Sequence, residues 1–288
     1  LELTRYDEAA DEIRTLRAPL FDLERVVIVG RPAITVPILQ RCARHAVPVS
    51  FITTRGRWVG GFYPDNNGHA LRRLRQYELA RDEDFALQVS RRLVDAKLRN
   101  SRRVLQRLAA NRSLSAEEEH VDACNRIQYL RRQVAEVGDV EALRGYEGVG
   151  AAIYFRRLGS FFPAEVPFRG RNRRPPRDGA NALLSWTYTI VMGEIEAAVR
   201  CAGLDPCLGF LHEISHGRVS LALDLLEPLR PALCDLLVLS IVNHGILKAD
   251  AFEHRKEDGG VYLKEESRKP FFTEYERAMQ RRFSLAKG

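Results

Sequence analysis

The sequence predicts an α+β protein: a small N-terminal β-rich domain over residues 1–66, a linker over 67–77, and a larger, mainly α-helical domain over 78–288. Three observations carry this reading. Short β-branched runs are concentrated before residue 64. The cluster Pro64-Asp65-Asn66-Asn67-Gly68 is a strong breaker. From about residue 69, leucines recur at spacings that suit helical faces, with arginines filling the other sides.

The elements follow in order. Val26-Val27-Ile28-Val29-Gly30 is a strand bounded by Gly30 and Pro32, and 34–45 reads as one helix with apolar residues at 34, 38 and 39. Residues 47–53 and 58–63 are strands joined by the turn-like Arg55-Gly56-Arg57. Leu71, Leu74, Tyr77, Leu87, Leu93, Leu98, Leu105 and Leu108 then mark helices. Ser115-Ala116-Glu117-Glu118 reads as an N-cap followed by acids in the first turn. Residues 140–158 form one helix that contains Gly148 and Gly150. Each glycine there costs about 1 kcal/mol relative to alanine, so a close approach of some other group is expected. Residues 168–179 are a Pro/Arg-rich loop. Helices resume over 180–201, about 208–216, and 219–226, the last broken by Pro228 and Pro231; 232–247 and 271–283 close the chain. Pro228 also disfavours helical backbone at Glu227.

With 45% apolar and 29% charged residues, the 288-residue chain reads as soluble and globular. Its net charge of +7 favours a polyanionic partner. The distribution says more than the total. Residues 71–113 hold twelve Lys/Arg against five acids. Arg169, Arg171, Arg173, Arg174 and Arg177 fall within nine positions beside Pro175 and Pro176. Arg-rich helices are commonly just solvated faces, but this density points to nucleic-acid phosphates. The five cysteines are odd in number and scattered, with no C-x-x-C, which suits a reduced, cytoplasmic chain and argues against a disulfide framework or zinc knuckle. No apolar run approaches a membrane span, so no membrane partner is expected. The start has early acids and no apolar h-region, and Leu1 in place of Met suggests a processed chain or a piece of a longer fusion.

Two arrangements compete for His212. His212-Glu213-Ile214-Ser215-His216 is a literal H-E-x-x-H, which on a helix aims two imidazoles at one zinc. Gly217 and Arg218 follow at once, and no further zinc ligand continues the pattern. The alternative pairs His212 with Asp224 and Glu227, two acids one helical turn apart among Leu221, Leu223, Leu225, Leu226 and Leu229. Carboxylates beside a buried stripe need a partner or a cation. Two hard oxygen ligands and one nitrogen suit Mg²⁺ or Mn²⁺ better than zinc. Glu147 is a third candidate, a lone acid set among Gly148, Gly150, Ala151 and Ala152.

Longer motifs carry a resemblance. Asn181-Ala182-Leu183-Leu184-Ser185, Ala202-Gly203-Leu204-Asp205-Pro206, Gly209-Phe210-Leu211-His212 and Arg218-x-Ser220-Leu221-x-Leu223-Asp224-Leu225-x-Glu227-x-x-Arg230-Pro231 resemble the CRISPR spacer integrases, the first-numbered family of the Cas series. Glu147-Gly148 with Ala151-Ala152 and Tyr154 upstream, and Val261-Tyr262-Leu263 with Tyr275-Glu276 downstream, extend the likeness through nearly all of 20–280. The resemblance implies that Glu147, His212 and Glu227 are the catalytic, metal-binding positions for Mg²⁺ or Mn²⁺, with Asp224 an additional acid nearby. It implies a DNA endonuclease and integrase that inserts short foreign fragments into a CRISPR array through 3′-hydroxyl attack. The implied partners are double-stranded DNA with 3′ ends, CRISPR repeat DNA, a second copy joined through the β-rich domain, and a small ferredoxin-like adaptation subunit. An iron–sulfur nuclease, as a subunit or fused domain, is a further candidate. Arg169, Arg171, Arg173, Arg174, Arg177 and Arg218 are the expected DNA contacts. On the residues alone, a zinc peptidase and a non-catalytic DNA- or RNA-binding helical protein stay open as rivals.

Overall fold

The computed structural model describes residues 1–7, 12–53, 57–64, 69–172 and 174–280. Most of the breaker at 64–68, most of the turn at 55–57, Arg173 and the last residues of the expected closing helix lie outside these.

The N-terminal part holds two small sheets. Strands β1 (Glu2–Asp7) and β2 (Glu12–Arg17) pair antiparallel, a hairpin not anticipated as such. The β-branched run then forms β3 (Val26–Val29), which lies parallel to β4 (Val49–Ile52) across helix α1 (Val36–Arg44). Strand β5 (Trp58–Phe62) returns antiparallel on β4. One face of this sheet, with Val47 and Val49, buries against Leu20 and Cys42 as a small separate core.

Helix α2 (Ala70–Leu79) occupies most of the stretch expected to be a linker. Its side chains explain why it is held: Arg72 and Arg73 donate to the carbonyls of Ala202 and Gly203, and the Gln76 amide pairs with both backbone groups of Asp205.

The helical core is built from α3 (Glu83–Ala110), α4 (Glu118–Val134), α5 (Val140–Gly159) and α6 (Gly179–Cys201). Asp82, Asp139 and Asp178 cap α3, α5 and α6, each accepting a backbone N–H of the first turn at 2.7–2.9 Å. Helix α4 departs from expectation. Glu117, not Ser115, is its cap residue, and the Glu117 side chain is turned instead to the buried Arg157. Gly150 supplies the anticipated close approach: a Cβ there would stand 2.2 Å from Leu98 Cδ2, so α3 and α5 touch at this point. Gly148 has open space beside it.

Several arginines of the basic 71–113 stretch serve helix ends. Besides Arg72 and Arg73 at the C-terminus of α6, Arg91 donates to Val137 O beyond α4, and Arg112 donates to Ser160 O and Phe161 O beyond α5. Terminal carbonyls lack intrahelical donors and carry partial negative charge, so cations satisfy both needs.

Residues 208–216, expected to be helical, are instead irregular. Asp224 holds the segment in its irregular path: its carboxylate gathers the N–H groups of Phe210, Leu211 and His212 at 2.5, 3.0 and 2.9 Å. Helix α7 (Ser220–Leu226) follows. Glu227 keeps helical angles (φ −53°, ψ −48°) despite Pro228, contrary to expectation, because its N–H still bonds Leu223 O at 3.2 Å. A π-helical turn (Arg230–Asp235) leads into α8 (Leu236–Asn243), so the helix expected over 232–247 begins as a widened coil. A hairpin of β6 (Phe252–His254) and β7 (Val261–Leu263) precedes α9 (Arg268–Met279), whose Phe271 packs on Trp186 of α6. Among the described residues no helix is long and apolar enough to cross a membrane.

Candidate active site

The site forms where α3, α5, α7 and the 208–219 loop meet. Asn100 on α3 donates to Pro228 O at 2.8 Å and fixes the end of α7 against α3. One turn earlier on α3, the buried Lys97 directs its ammonium to Glu147 Oε1 of α5 and to Glu227 Oε2 at the end of α7. Arg230 reaches the other Glu227 oxygen at 3.2 Å. Burial would raise the Glu227 carboxyl, but Lys97 and Arg230 outweigh it and hold the group below the ordinary glutamate value.

His212 is positioned from behind. Its Nδ1 lies 2.7 Å from Asp224 Oδ1, and the Asp224 side chain is fully buried. A carboxylate accepts, so the ring proton sits on Nδ1 and the Nε2 lone pair remains for a ligand.

Glu147, His212 and Glu227 line one open cavity of about 1280 Å³. Seven cations share its wall: Lys97, Arg156, Arg169, Arg171, Arg174, Arg218 and Arg230. Against two glutamates this leaves a strongly positive cleft, suited to phosphate esters.

The expected DNA-contact arginines divide. Arg169 and Arg174 are exposed on the cavity rim; Arg177 is exposed but does not line it. Arg171 is engaged internally. It donates to Asn172 O, Asn181 Oδ1 and Ser185 Oγ at 2.6–3.0 Å and lies over the Tyr188 ring, which ties the loop to α6. Arg218 bonds Glu213 O and Ser220 Oγ. Arg173 lies outside the described residues. The zinc reading fails on geometry: residues 212–216 are not helical, and His216 is exposed and off the cavity that His212 lines.

Sequence reasoning missed Lys97 and Arg230 as members of the site. Lys97 had a faint signal, being the single lysine among eleven arginines over 71–113. Arg230 stood in the same motif as Glu227, three residues after it, without a role; it belongs to a buried group in which Asp235 accepts from the Tyr154 and Tyr188 hydroxyls and Arg230 stacks 4.6 Å over Tyr188. Burial raises the Asp235 carboxyl to about 6, although the two tyrosines and Arg230 pull it down.

Fold and site together define a class: a short β-rich part on a helical body, with an acid–imidazole cluster inside a cationic cleft. Residues 5–277 match the family model described as CRISPR associated protein Cas1, and the chain belongs to that family. A CRISPR-associated endonuclease Cas1 of Thermus thermophilus is 34% identical over 267 residues, covering 93% of this chain and 76% of that protein. A CRISPR-associated exonuclease Cas4/endonuclease Cas1 fusion of Rhodospirillum rubrum is 35% identical, covering 90% of this chain and 45% of the fusion. Among solved structures, a casposase bound to integration product superposes with a TM-score of 0.80 at 23% identity, covering 100% of this chain and 80% of that one. A chain of a Cas6-RT-Cas1–Cas2 complex gives 0.74 at 27% identity, covering 92% of this chain and 29% of that one.

Proposed function

We propose that this chain is a metal-dependent DNA endonuclease and integrase of CRISPR adaptation that inserts short foreign DNA fragments into the CRISPR array. The observation that carries this reading is the meeting of Glu147, His212 and Glu227, far apart in sequence, in one cavity otherwise walled by cations. Family membership and the endonuclease name of the Thermus relative support it.

The donor set fits Mg²⁺ or Mn²⁺. Two carboxylates and an imidazole with a free Nε2 are hard and borderline ligands, and both carboxylates already converge on a positive charge, the Lys97 ammonium. Among the described residues no three His, Cys, Asp or Glu side chains stand ready as a metal cluster, so loading requires local rearrangement around Lys97. When bound, the cation supplies Lewis acidity, lowering the pKa of an attacking hydroxyl and drawing charge from phosphorus.

The chain's own residues do the rest. Glu147, His212 and Glu227 hold the cation; Asp224 fixes the His212 tautomer; Arg169, Arg174 and the neighbouring cations receive the phosphodiester backbone. Arg177 and Arg218 extend the basic surface toward DNA, while Arg171 braces the loop from within. The 3′-oxygen of a fragment forms a bond to phosphorus of the repeat as the bond from phosphorus to the repeat's 3′-oxygen breaks. The attacking hydroxyl loses its proton, and the departing oxygen gains one. One phosphodiester is made and one broken, so no external energy is needed.

The partners follow the same reading: a second copy through the β-rich part, a small ferredoxin-like subunit of the Cas2 kind, and a Cas4-type iron–sulfur nuclease, consistent with the complex and the fusion named above. The setting is the cytoplasm. The test is joining and nicking of labelled branched DNA with Mg²⁺ or Mn²⁺, with and without the small subunit. Glu147→Ala and His212→Ala should abolish both reactions; wild-type rates in either variant overturn the assignment.

A further inference from the structure

Lys97 stands in an unusual place. Its side chain is buried on α3, and its ammonium is the group on which Glu147 and Glu227 converge. Arg230 holds the remaining Glu227 oxygen, so both oxygens of that carboxylate already face cations. Without Lys97, two carboxylates would share one partly desolvated corner, and like charges at that range repel. Leu98 next to Lys97 is wedged against Gly150, which fixes the height of α3 against α5 and so the place where the lysine emerges.

We infer that Lys97 is a built-in counter-cation of the metal site: it holds Glu147 and Glu227 together in the metal-free protein, and a divalent ion binds only by displacing its ammonium from them. This rests on the functional reading above and adds a residue to it. The physical basis is charge balance. Arg230 already faces Glu227, so a divalent ion arriving while Lys97 stays would set +4 against −2 at a few ångströms, and withdrawal of the ammonium relieves the closest of these repulsions. Metal loading is therefore an exchange of ions, and its apparent affinity is set partly by the lysine that must leave.

The consequence is opposite to that of an ordinary supporting residue, whose removal weakens the site. Neutralising Lys97 removes the competitor and leaves two carboxylates that a divalent ion relieves. Both effects strengthen binding. The experiment is calorimetric titration of MnCl₂ into the EDTA-stripped full chain, with thermal melts in EDTA and in Mn²⁺. Lys97→Met should bind Mn²⁺ more tightly than wild type, on the order of tenfold. Its melting temperature should fall in EDTA and rise further on adding Mn²⁺ than that of wild type. Lys97→Arg, which keeps the charge, should bind Mn²⁺ much as wild type does. Lys97→Gln, smaller and still a hydrogen-bond donor, gives a second neutral variant should the methionine form not fold. Equal or weaker Mn²⁺ binding in a folded neutral variant overturns the inference, as does an Mn²⁺-induced rise in melting temperature no greater than that of wild type. Failure of wild type itself to bind Mn²⁺ overturns the functional reading instead, so the two failures are told apart.

Discussion

Asp224 and His212 form one unit: a fully buried carboxylate 2.7 Å from the imidazole Nδ1, also accepting three consecutive backbone N–H groups at 210–212. The acid shapes the loop and fixes the ring in one step. An acid placed in this way acts through the histidine rather than on substrate.

Asp224→Asn therefore should do more than remove charge. An amide brings donors where the native group only accepts, leaving backbone N–H groups at 210–212 short of partners. The expected loss is about 2–4 kcal/mol of stability in urea denaturation, together with a fall in DNA joining close to that of His212→Ala. Near-native stability and joining in Asp224→Asn would refute the assigned role.

Asp235 makes a pH prediction whose sign is set by its raised pKa. A carboxyl that titrates near 6 when folded and near 3.8 when unfolded binds its proton more tightly in the native state. Stability from this group is present at low pH and declines as pH rises between those values, by on the order of 3 kcal/mol. Glu227, held low, acts in the opposite sense and loses its contribution only as acid protonates it. Asp235→Asn should flatten the descending limb between pH 4 and 6. Urea midpoints measured across that range decide it; an unchanged slope would remove Asp235 as its source.

The two glycines of α5 should part company. Gly150→Ala forces the packed Leu98 side chain to shift and should cost about 1–2 kcal/mol. Gly148→Ala meets nothing within 4 Å, so relief of helix-interior glycine should leave the fold as stable or more stable by up to about 1 kcal/mol. In thermal melts Gly150→Ala should fall below wild type and Gly148→Ala should not.

Arginines of one composition should fall into two groups by salt dependence. Arg112→Ala and Arg171→Ala remove internal bonds and should lower stability by about 1–2 kcal/mol each, leaving the slope of log K against log salt for DNA unchanged. Arg169→Ala and Arg174→Ala, on the cavity rim, should leave stability intact and each reduce that slope by about one unit. Slopes unaffected in the second pair would exclude those side chains as phosphate contacts.

Local sequence signals determined a good deal. The β-branched run 26–29, the apolar spacing of the long helices and the aspartates before α3, α5 and α6 act within a few residues of themselves, and the elements appeared where those forces operate. Ordered motifs likewise identified Glu147, His212, Asp224 and Glu227 as the residues to watch. Only the tertiary structure decided what surrounds them. The 208–216 segment has a helix-like spacing, yet its backbone is irregular and an acid from the next helix binds three consecutive N–H groups in it. Lys97 is one cation among twelve until α3 packs on α5 and α7 and buries it between two carboxylates. Arg72, Arg73 and Arg112 read as phosphate contacts until helix ends, more than forty residues away, claim their donors. Composition records how many charges a chain carries; which partner each one meets depends on packing, because the energy of a charge is set by its nearest neighbours and its access to water.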